Sequence, residues 1–152
     1  MNDNFKIIIP NSKEDFKKYY YLRWKILRKP YGQELGTEVD QFENSAYHQM
    51  IINLKKEVVA VGRVHFLSDS NNKNIAQIRY MAVDNIYTKF GLGTSILDSL
   101  ELHARNNNIN KIILNSRESA NNFYIKNGYK KIKKTHILYN KIQHWLMEKE
   151  IN

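Results

Sequence analysis

The chain of 152 residues carries 24 Lys or Arg against 15 Asp or Glu, a formal net charge of +9, and 42% of its residues are hydrophobic. This length favours one domain over residues 1–152 with a core of its own. Cysteine is absent from the sequence, which excludes disulfides, thiolate metal sites and a cysteine nucleophile. No apolar run approaches the ~20 residues that cross a bilayer, and no signal segment opens the chain, so we expect a cytoplasmic protein with no membrane partner.

The N-terminal segment predicts a strand followed by a helix. Residues 5–9, FKIII, form a short apolar run that ends at Pro10, which has no N–H to donate to a sheet. Ser12 has the residue type of a helix N-cap. The helix should end near Lys29, because the residue before Pro30 is pushed away from helical geometry.

An acidic segment without clear periodicity follows between residues 31 and 45 and indicates a loop or a short helix. Several carboxylates near a pocket favour a cationic substrate, whereas a solvated surface turn explains the same composition without any ligand. The candidate substrate-binding residues of this segment are Glu38, Asp40 and Glu43.

Two apolar runs, at 47–54 and 58–67, predict a β-hairpin with its turn at residues 55–57. Gly62 in the second run indicates a β-bulge or a close approach of another segment. The polar stretch SDSNNKN, at 68–74, predicts a loop.

The central part of the sequence, residues 75–106, combines a strand, a glycine-containing turn and an amphipathic helix. Apolar residues recurring at three- and four-residue steps predict the helix over 94–106. Gly91 and Gly93 in the turn allow a ligand to approach the backbone, and the first helical turn offers free N–H groups. This arrangement suits a phosphate or pyrophosphate, although a tight strand-to-helix turn alone would also explain the two glycines.

The remaining sequence predicts alternating strands and helices. Residues 111–114 form a short buried strand, 117–127 a helix, and 129–139 and 144–150 two closing strands. Two strands joined by a crossover helix usually pair in parallel, so the strands at 75 and 111 should be parallel neighbours. The element order therefore predicts an α/β (α+β) fold, a mixed sheet covered by helices.

Two segments carry a resemblance to a known family. The loop around Gly91 and Gly93 is followed, about 25 residues later, by Ala120, Tyr124 and Gly128 in the pattern A-x-x-x-Y-x-x-x-G. Together they resemble the GNAT superfamily of N-acetyltransferases over about residues 47–149. The resemblance implies a mostly antiparallel sheet of about seven strands and acetyl-CoA as co-substrate, with no metal.

The resemblance also implies where the cofactor binds. Backbone near Met81 would lie beside the pantetheine arm, the glycine loop would hold the pyrophosphate, and asparagines would contact the cofactor through their amides. Asn115 has a helix cap as its alternative role. The family pattern has Gln or Arg where Thr88 stands, and Lys89 supplies a positive charge there instead. The implied cofactor-binding residues are Met81, Ala82, Val83, Lys89, Phe90, Gly91, Leu92, Gly93, Thr94, Asn115, Asn121, Asn122 and Tyr124.

Catalysis requires an acid for the departing thiolate and a base for the amine. Tyr124 matches the family tyrosine that protonates the thiolate, and a phenol of pKa ~10 can do so. Histidine is the natural base because its pKa lies near neutrality. The segment IQHWLMEK resembles the I-P-H-x-x-M ending of the ElaA-like branch, which favours His144. Other candidate bases are His48, His65, Asp40 and Glu43.

The acceptor and its alternatives complete the sequence-based hypotheses. The resemblance implies an amine acceptor, a small molecule or a peptide, near residues 34–43, and homodimers are common in the family. One alternative is a GNAT-fold protein that binds acyl-CoA without catalysis. Another is a basic RNA-binding module using FYIKNGYKKIKK, at 123–134. No RNP, KH or zinc-finger signature supports the latter, so we expect no nucleic-acid partner.

Overall fold

Seven strands and three α-helices make up the described part of the chain, which in this computed structural model is residues 1–67, 71 and 74–152. In chain order they are β1 (Phe5–Ile8), α1 (Lys13–Leu27), β2 (Tyr47–Asn53), β3 (Val58–Phe66), β4 (Ile75–Val83), α2 (Leu92–Asn106), β5 (Lys111–Arg117), α3 (Asn121–Lys126), β6 (Lys130–Leu138) and β7 (Ile142–Glu150). Short 3₁₀ turns span Lys29–Tyr31, Asn85–Tyr87 and Glu118–Ala120. The loop predicted at 68–74 lies largely outside the described residues.

The sheet has the strand order β1-β2-β3-β4-β5-β7-β6. Neighbouring strands are antiparallel except β4 and β5, which are parallel. This confirms the predicted mixed, mostly antiparallel sheet of seven strands flanked by helices, and also the parallel pairing across α2. In the described part of the chain, no helix combines the length and apolar character that crossing a bilayer requires.

The two long helices cover opposite faces of the sheet. On α2, Leu92, Ile96 and Leu100 are spaced by four residues, are fully buried, and pack against β2, β3 and β4. On α1, Tyr19 and Leu22 are buried against the other face of β3 and β4. The sheet is therefore a middle layer between the two helices.

Strands β4 and β5 diverge after a short paired segment. Their register covers only 75–77 against 111–113. Beyond it, within the described residues, 78–83 and 114–117 have no ladder partner across the gap. Unpaired backbone N–H and C=O groups require other partners, so this gap suits an extended ligand that carries amides.

A β-bulge in β4 lies beside the gap. Val61 pairs with Ala82 and Arg63 with Arg79, so Tyr80 and Met81 together oppose the single residue Gly62. Tyr80 has the left-handed φ of 58°. A Cβ on Gly62 would lie 2.5 Å from Ile96 Cγ2 and 2.6 Å from Met81 Sδ. Both predictions for Gly62, a bulge and a close approach, are confirmed.

Element boundaries differ from the sequence prediction mainly around β5. The predicted strand 111–114 extends to Arg117, because Asn115 and the two residues after it pair with β7. Asn115 is therefore a strand residue, and its alternative role as a helix cap is wrong. The predicted helix 117–127 is reduced to a 3₁₀ turn followed by α3. The antiparallel ladder with β7 supplies hydrogen bonds that a local helix would otherwise provide.

The other boundaries shift by two residues or fewer. Ser12 Oγ accepts from Asp15 N at 3.0 Å, as the predicted cap requires, and α1 ends at Leu27 rather than near Lys29. The glycine-loop helix α2 begins at Leu92 instead of residue 94. The acidic segment is a loop after one 3₁₀ turn.

Candidate active site

At the start of α2, consecutive backbone N–H groups lack a hydrogen-bond acceptor in the described residues. Gly91 is the N-cap of α2, with φ 71° and ψ 17°, and no side chain of the described residues caps the helix. Within the described chain, the N–H groups of residues 89–94 donate to no protein acceptor, and the first loop bond is Ser95 N to Gly91 O at 3.1 Å. Lys89 is exposed beside them. Such a cluster of free N–H groups at the positive end of a helix dipole fits an anion.

Gly93 is where α2, α3 and the end of β4 meet. A Cβ there would lie 3.1 Å from the Phe123 ring and 3.7 Å from Val83. Met81, Ala82 and Val83 lead from the bulge to this point along the open edge of β4. The N–H cluster and the strand gap are therefore continuous, as a long coenzyme with a diphosphate would require.

The three candidate asparagines differ in their surroundings. Asn121 is 6% exposed, and its Oδ1 is buried without a hydrogen-bond partner in the described part of the protein. A buried amide oxygen without a partner is costly, so this atom fits a ligand donor. Asn115 is exposed on β5 beside the gap, and Asn122 is exposed on α3.

Tyr124 has a buried ring and an unpaired hydroxyl. Its ring centroid lies 5.0 Å from that of Phe123 and 5.7 Å from that of Tyr129, and the residue is 7% exposed. Its hydroxyl makes no hydrogen bond to the described residues. Burial raises the pKa of Tyr124, against the opposing charge of Arg117. The phenol therefore stays protonated at neutral pH and can donate a proton or a hydrogen bond.

His144 is a neutral imidazole with one nitrogen available. Its Nδ1 lies 3.0 Å from the carbonyl oxygen of Ile142. A carbonyl can only accept, so Nδ1 carries the proton and Nε2 keeps its lone pair. Burial lowers the pKa of His144, and the charges of His136, Arg117 and Arg28 lower it further. These features suit a proton acceptor at neutral pH.

His48 belongs to a buried network under α1. Its Nδ1 lies 2.8 Å from the Tyr19 hydroxyl, and its Nε2 lies 2.8 Å from the Glu43 carbonyl oxygen. Because both ring nitrogens are engaged, neither is free to take a proton from a substrate. His65 is also buried, stacked on Phe42 with ring centroids 4.4 Å apart, and burial lowers its pKa to about 4.

Two of the candidate acidic residues are paired with arginines. Asp40 receives two hydrogen bonds from Arg63, of 2.6 and 2.9 Å, and one of 2.9 Å from Arg79. Burial would raise the pKa of Asp40, but Arg63 and Arg79 hold it well below its ordinary value. Glu43 receives 2.9 Å and 2.8 Å bonds from Arg23 and Arg63.

Glu38, the third acidic candidate, is buried and accepts a hydrogen bond of 2.6 Å from the N–H of Gly36. Asp40 and Glu43 are compensated by arginines, so Glu38 is the one acidic candidate whose carboxylate has no arginine partner in the described residues. In the described residues, no group of three or more His, Asp or Glu side chains is arranged to hold a metal ion.

The structure brings together a set of residues that the sequence reasoning did not single out. We call Arg28, Tyr31, Arg117 and Tyr139 the arginine–tyrosine cluster. The Tyr31 and Tyr139 rings stack with centroids 5.7 Å apart, and the Arg117 guanidinium carbon lies 5.5 Å from the Tyr31 centroid. These side chains come from the end of α1, the turn after it, β5 and the β6–β7 turn. No sequence spacing relates them, so only the fold reveals them.

The family of the chain follows from comparison with known proteins. Residues 28–151 match the family model described as an acetyltransferase (GNAT) domain. A curated relative from Bacillus subtilis (strain 168), provisionally named as an acetyltransferase, is 26% identical over 147 residues, which cover 91% of this chain and 92% of the relative.

Two solved structures show the same fold. A provisionally named N-acetyltransferase from Lactobacillus plantarum has a TM-score of 0.82 at 16% identity, covering 99% of this chain and 100% of that one. ElaA from Escherichia coli has a TM-score of 0.71 at 15% identity, covering 96% and 98%. At these identities the likeness concerns the fold alone, so it leaves the ElaA-like branch a prediction. The family match spans most of the sequence, and the chain therefore belongs to the GNAT family of acetyltransferases.

Proposed function

We propose that this protein transfers the acetyl group of acetyl-CoA to a primary amine, in a small molecule or a peptide, by direct attack in a ternary complex. The proposal rests on the N–H groups of residues 89–94, which have no hydrogen-bond acceptor in the described residues. They are continuous with the gap between β4 and β5. An anion site that leads into a gap lined by unpaired backbone fits a coenzyme with a diphosphate and amide groups.

The protein's own groups would hold the coenzyme in three places. The N–H groups of residues 89–94, with Lys89 beside them, receive the diphosphate. The open edge of β4 at Met81, Ala82 and Val83 receives the amides of the pantetheine arm. Asn121 Oδ1, which has no partner in the described residues, accepts a further donor. The coenzyme supplies an acetyl group already activated as a thioester.

Proton movement sets the demands on the acid and the base. An alkylammonium of pKa ~10.4 loses its proton at a cost of about 4.6 kcal/mol at pH 7. His144 Nε2 takes this proton, directly or through one water, since its lone pair is free. The amine nitrogen then bonds to the acetyl carbon while the carbon–sulfur bond breaks. The Tyr124 hydroxyl gives its proton to the departing sulfur, and the resulting phenolate is reprotonated as the nitrogen loses its second proton to form the amide.

Calorimetry with acetyl-CoA, followed by a screen of amine classes with detection of free CoA, tests the proposal. We expect binding heat, a raised melting temperature and amine-dependent release of CoA. Absence of both heat and thermal shift at millimolar acetyl-CoA would overturn the proposal. Binding without transfer to any amine class would instead support the non-catalytic acyl-CoA-binding alternative.

A further inference from the structure

We infer that the acceptor amine carries an anionic group, a carboxylate or a phosphate, which the arginine–tyrosine cluster binds. This inference rests on the proposed acetyl transfer and names the substrate class of that site. Its basis is that Arg28 and Arg117, beside the catalytic candidates, have no carboxylate partner in the described residues, whereas Asp40 and Glu43 are paired with other arginines.

The cluster adjoins both proposed catalytic groups. Arg117 pairs directly with His144 across the β5–β7 ladder, and its charge acts on the pKa of both His144 and Tyr124. The Arg28 guanidinium carbon lies 6.0 Å from the Tyr139 ring centroid and 5.6 Å from that of Tyr80 in the β4 bulge. A small acceptor whose amine reaches His144 would therefore place its other substituents among these side chains.

Both arginines use neutral oxygens as their protein partners. Arg28 donates from Nε to the Thr37 carbonyl at 3.1 Å and from Nη1 to the Leu27 carbonyl at 3.2 Å. Arg117 donates from Nη2 to the same Leu27 carbonyl at 3.3 Å and from Nη1 to the Tyr31 hydroxyl at 3.5 Å. These contacts fix the orientation of the guanidinium groups and leave their charge uncompensated.

An uncompensated, half-buried guanidinium pair favours an anion. Burial lowers the pKa of Arg117, and the neighbouring charge of Arg28 lowers it further, as expected for cations that share a partly desolvated site without a counter-ion. Desolvated charges in proteins are normally paired, and guanidinium matches both carboxylate and phosphate in bidentate geometry. The stacked Tyr31 and Tyr139 rings add an apolar surface beside the two guanidinium groups.

Two carboxylates of the acidic segment are already engaged by other arginines. Arg63 and Arg79 engage Asp40, and Arg23 and Arg63 engage Glu43, so these carboxylates already serve arginines of the sheet and α1. The sequence-based expectation of a cationic acceptor rested on free carboxylates near the pocket. Asp40 and Glu43 are thus not free carboxylates, whereas Arg28 and Arg117 have no carboxylate partner in the described residues.

Steady-state kinetics with matched acceptors tests the inference. One series compares glycine, glutamate and other amino acids with their carboxamides, and a second compares phosphoethanolamine with ethanolamine, which separates carboxylate from phosphate. We expect the anionic member of at least one series to be preferred by about tenfold or more in kcat/KM, since hydrogen bonds to charged groups are the strong ones. Equal or better turnover of the neutral members would overturn the inference.

Variants identify the residues responsible. Arg117→Gln should raise KM for the anionic acceptor about tenfold or more relative to KM for the neutral acceptor, while Arg117→Lys should restore part of the preference. Lys141→Gln, an exposed residue of the β6–β7 turn, makes the same change in net charge as a control. If both Arg117→Gln and Arg28→Gln keep the wild-type melting temperature and still prefer the anionic acceptor, the inference is contradicted.

A binding measurement keeps the inference testable even if no amine is acetylated. Titration with glutarate and with inorganic phosphate, followed by calorimetry, should give heat with the wild type that is lost in Arg117→Gln. Binding of either probe without turnover of any amine would support anion binding by the arginine–tyrosine cluster and would contradict the proposed acetyl transfer. Absence of heat with either probe at millimolar concentration would overturn the inference, whatever the enzyme activity.

Discussion

Arg117 and His144 are directly paired residues of neighbouring antiparallel strands, β5 and β7, at the open end of the β4–β5 gap. The guanidinium disfavours a second positive charge on the imidazole, and burial acts in the same direction. The strand pairing therefore places the guanidinium of Arg117 beside His144, whose pKa is lowered. With Nε2 free, His144 fits the proposed role of base better than His48, whose two ring nitrogens are both engaged.

The activity should depend on pH through His144. A His pKa below its ordinary value of about 6.5 means that the base is available at pH 7 and becomes protonated only in more acidic solution. We expect His144→Gln to reduce kcat/KM by about 10²-fold at pH 7. The ratio of wild-type to variant kcat/KM, which removes the amine's own titration, should fall as pH drops below about 6.5.

A matched histidine provides the control for this profile. His103 stacks on Tyr47 with ring centroids 3.7 Å apart, and burial lowers its pKa as well. It lies on α2, outside the proposed site, so His103→Gln should leave the pH profile unchanged. A flat ratio for His144→Gln across pH 5 to 8, or an equal effect of both variants, would argue against His144 as the base.

Tyr124→Phe should lower kcat and leave acetyl-CoA binding nearly unchanged. The phenol is held protonated by burial, and its hydroxyl has no protein partner in the described residues, so its removal costs the fold little. We expect a loss of about 10²-fold in kcat, typical of a general acid. Steady-state kinetics and calorimetry with acetyl-CoA separate the two effects.

Tyr129→Phe is the control for Tyr124. Its hydroxyl is also buried and lacks a hydrogen-bond partner in the described structure. Removing an unpaired buried hydroxyl should leave kcat unchanged and keep or raise stability by about 1 kcal/mol. If both variants keep full kcat, Tyr124 is a packing residue only.

Gly91→Ala should weaken acetyl-CoA binding beyond its effect on stability. Gly91 and Gly32 have the same left-handed backbone, φ 71° and ψ 17°, and a Cβ at either position meets no atom of the described residues within 4 Å. Both substitutions should therefore cost about 1 kcal/mol of unfolding free energy. Only the Cβ at Gly91 would project beside the free N–H groups of residues 89–94, so only Gly91→Ala should lose affinity for acetyl-CoA. Equal affinities of the two variants would contradict the proposed diphosphate site.

The glycine loop and the order of the elements could be predicted because their signals are local. Gly91 sits where a helix begins, and hydrophobic periodicity in the sequence marks α2 before any tertiary contact is known. The state of the acidic segment could not be predicted in the same way. Asp40 and Glu43 are compensated by Arg23, Arg63 and Arg79, which lie on α1, β3 and β4.

The arginine–tyrosine cluster was equally hidden from the sequence. Arg117 was expected at the start of a helix, but pairing with His144 holds it in β5 and directs it towards Tyr31. Its partners are more than 80 residues earlier in the chain, at Leu27 and Tyr31. Long-range strand pairing thus decided which side chains surround the site, and periodicity carries no information about such pairing.

Gly62→Ala should strongly destabilise the fold. The new Cβ would lie 2.5 Å from Ile96 Cγ2, an atom fixed close to the backbone of α2, so the helix must move away from the sheet. Overpacking of this kind costs about 3 kcal/mol. In urea unfolding, the double variant Gly62→Ala with Ile96→Ala should lose less stability than the sum of the single variants. Additive losses would show that α2 does not pack on Gly62 at this distance.

Asp40 should make stability depend on pH in the acid range. A carboxyl whose pKa is lower in the folded than in the unfolded state stabilises the fold above its unfolded value of about 3.9, and this contribution is lost as pH falls towards the folded value. Asp40→Asn should therefore cost about 3 kcal/mol at pH 7, since Arg63 and Arg79 lose a buried partner. Below about pH 4 the difference in unfolding free energy between wild type and variant should become smaller.

Glu14→Gln serves as the control for Asp40→Asn. Glu14 pairs with Lys18 at 3.4 Å on the exposed face of α1, where an ion pair contributes little. This variant should stay within about 0.5 kcal/mol of the wild type at every pH in urea unfolding. If the loss of unfolding free energy in Asp40→Asn stays constant from pH 7 to pH 2, the destabilisation comes from altered packing. The ion pairs with Arg63 and Arg79 would then contribute nothing to folding, and the compensation of the acidic segment would have to be assigned to other groups.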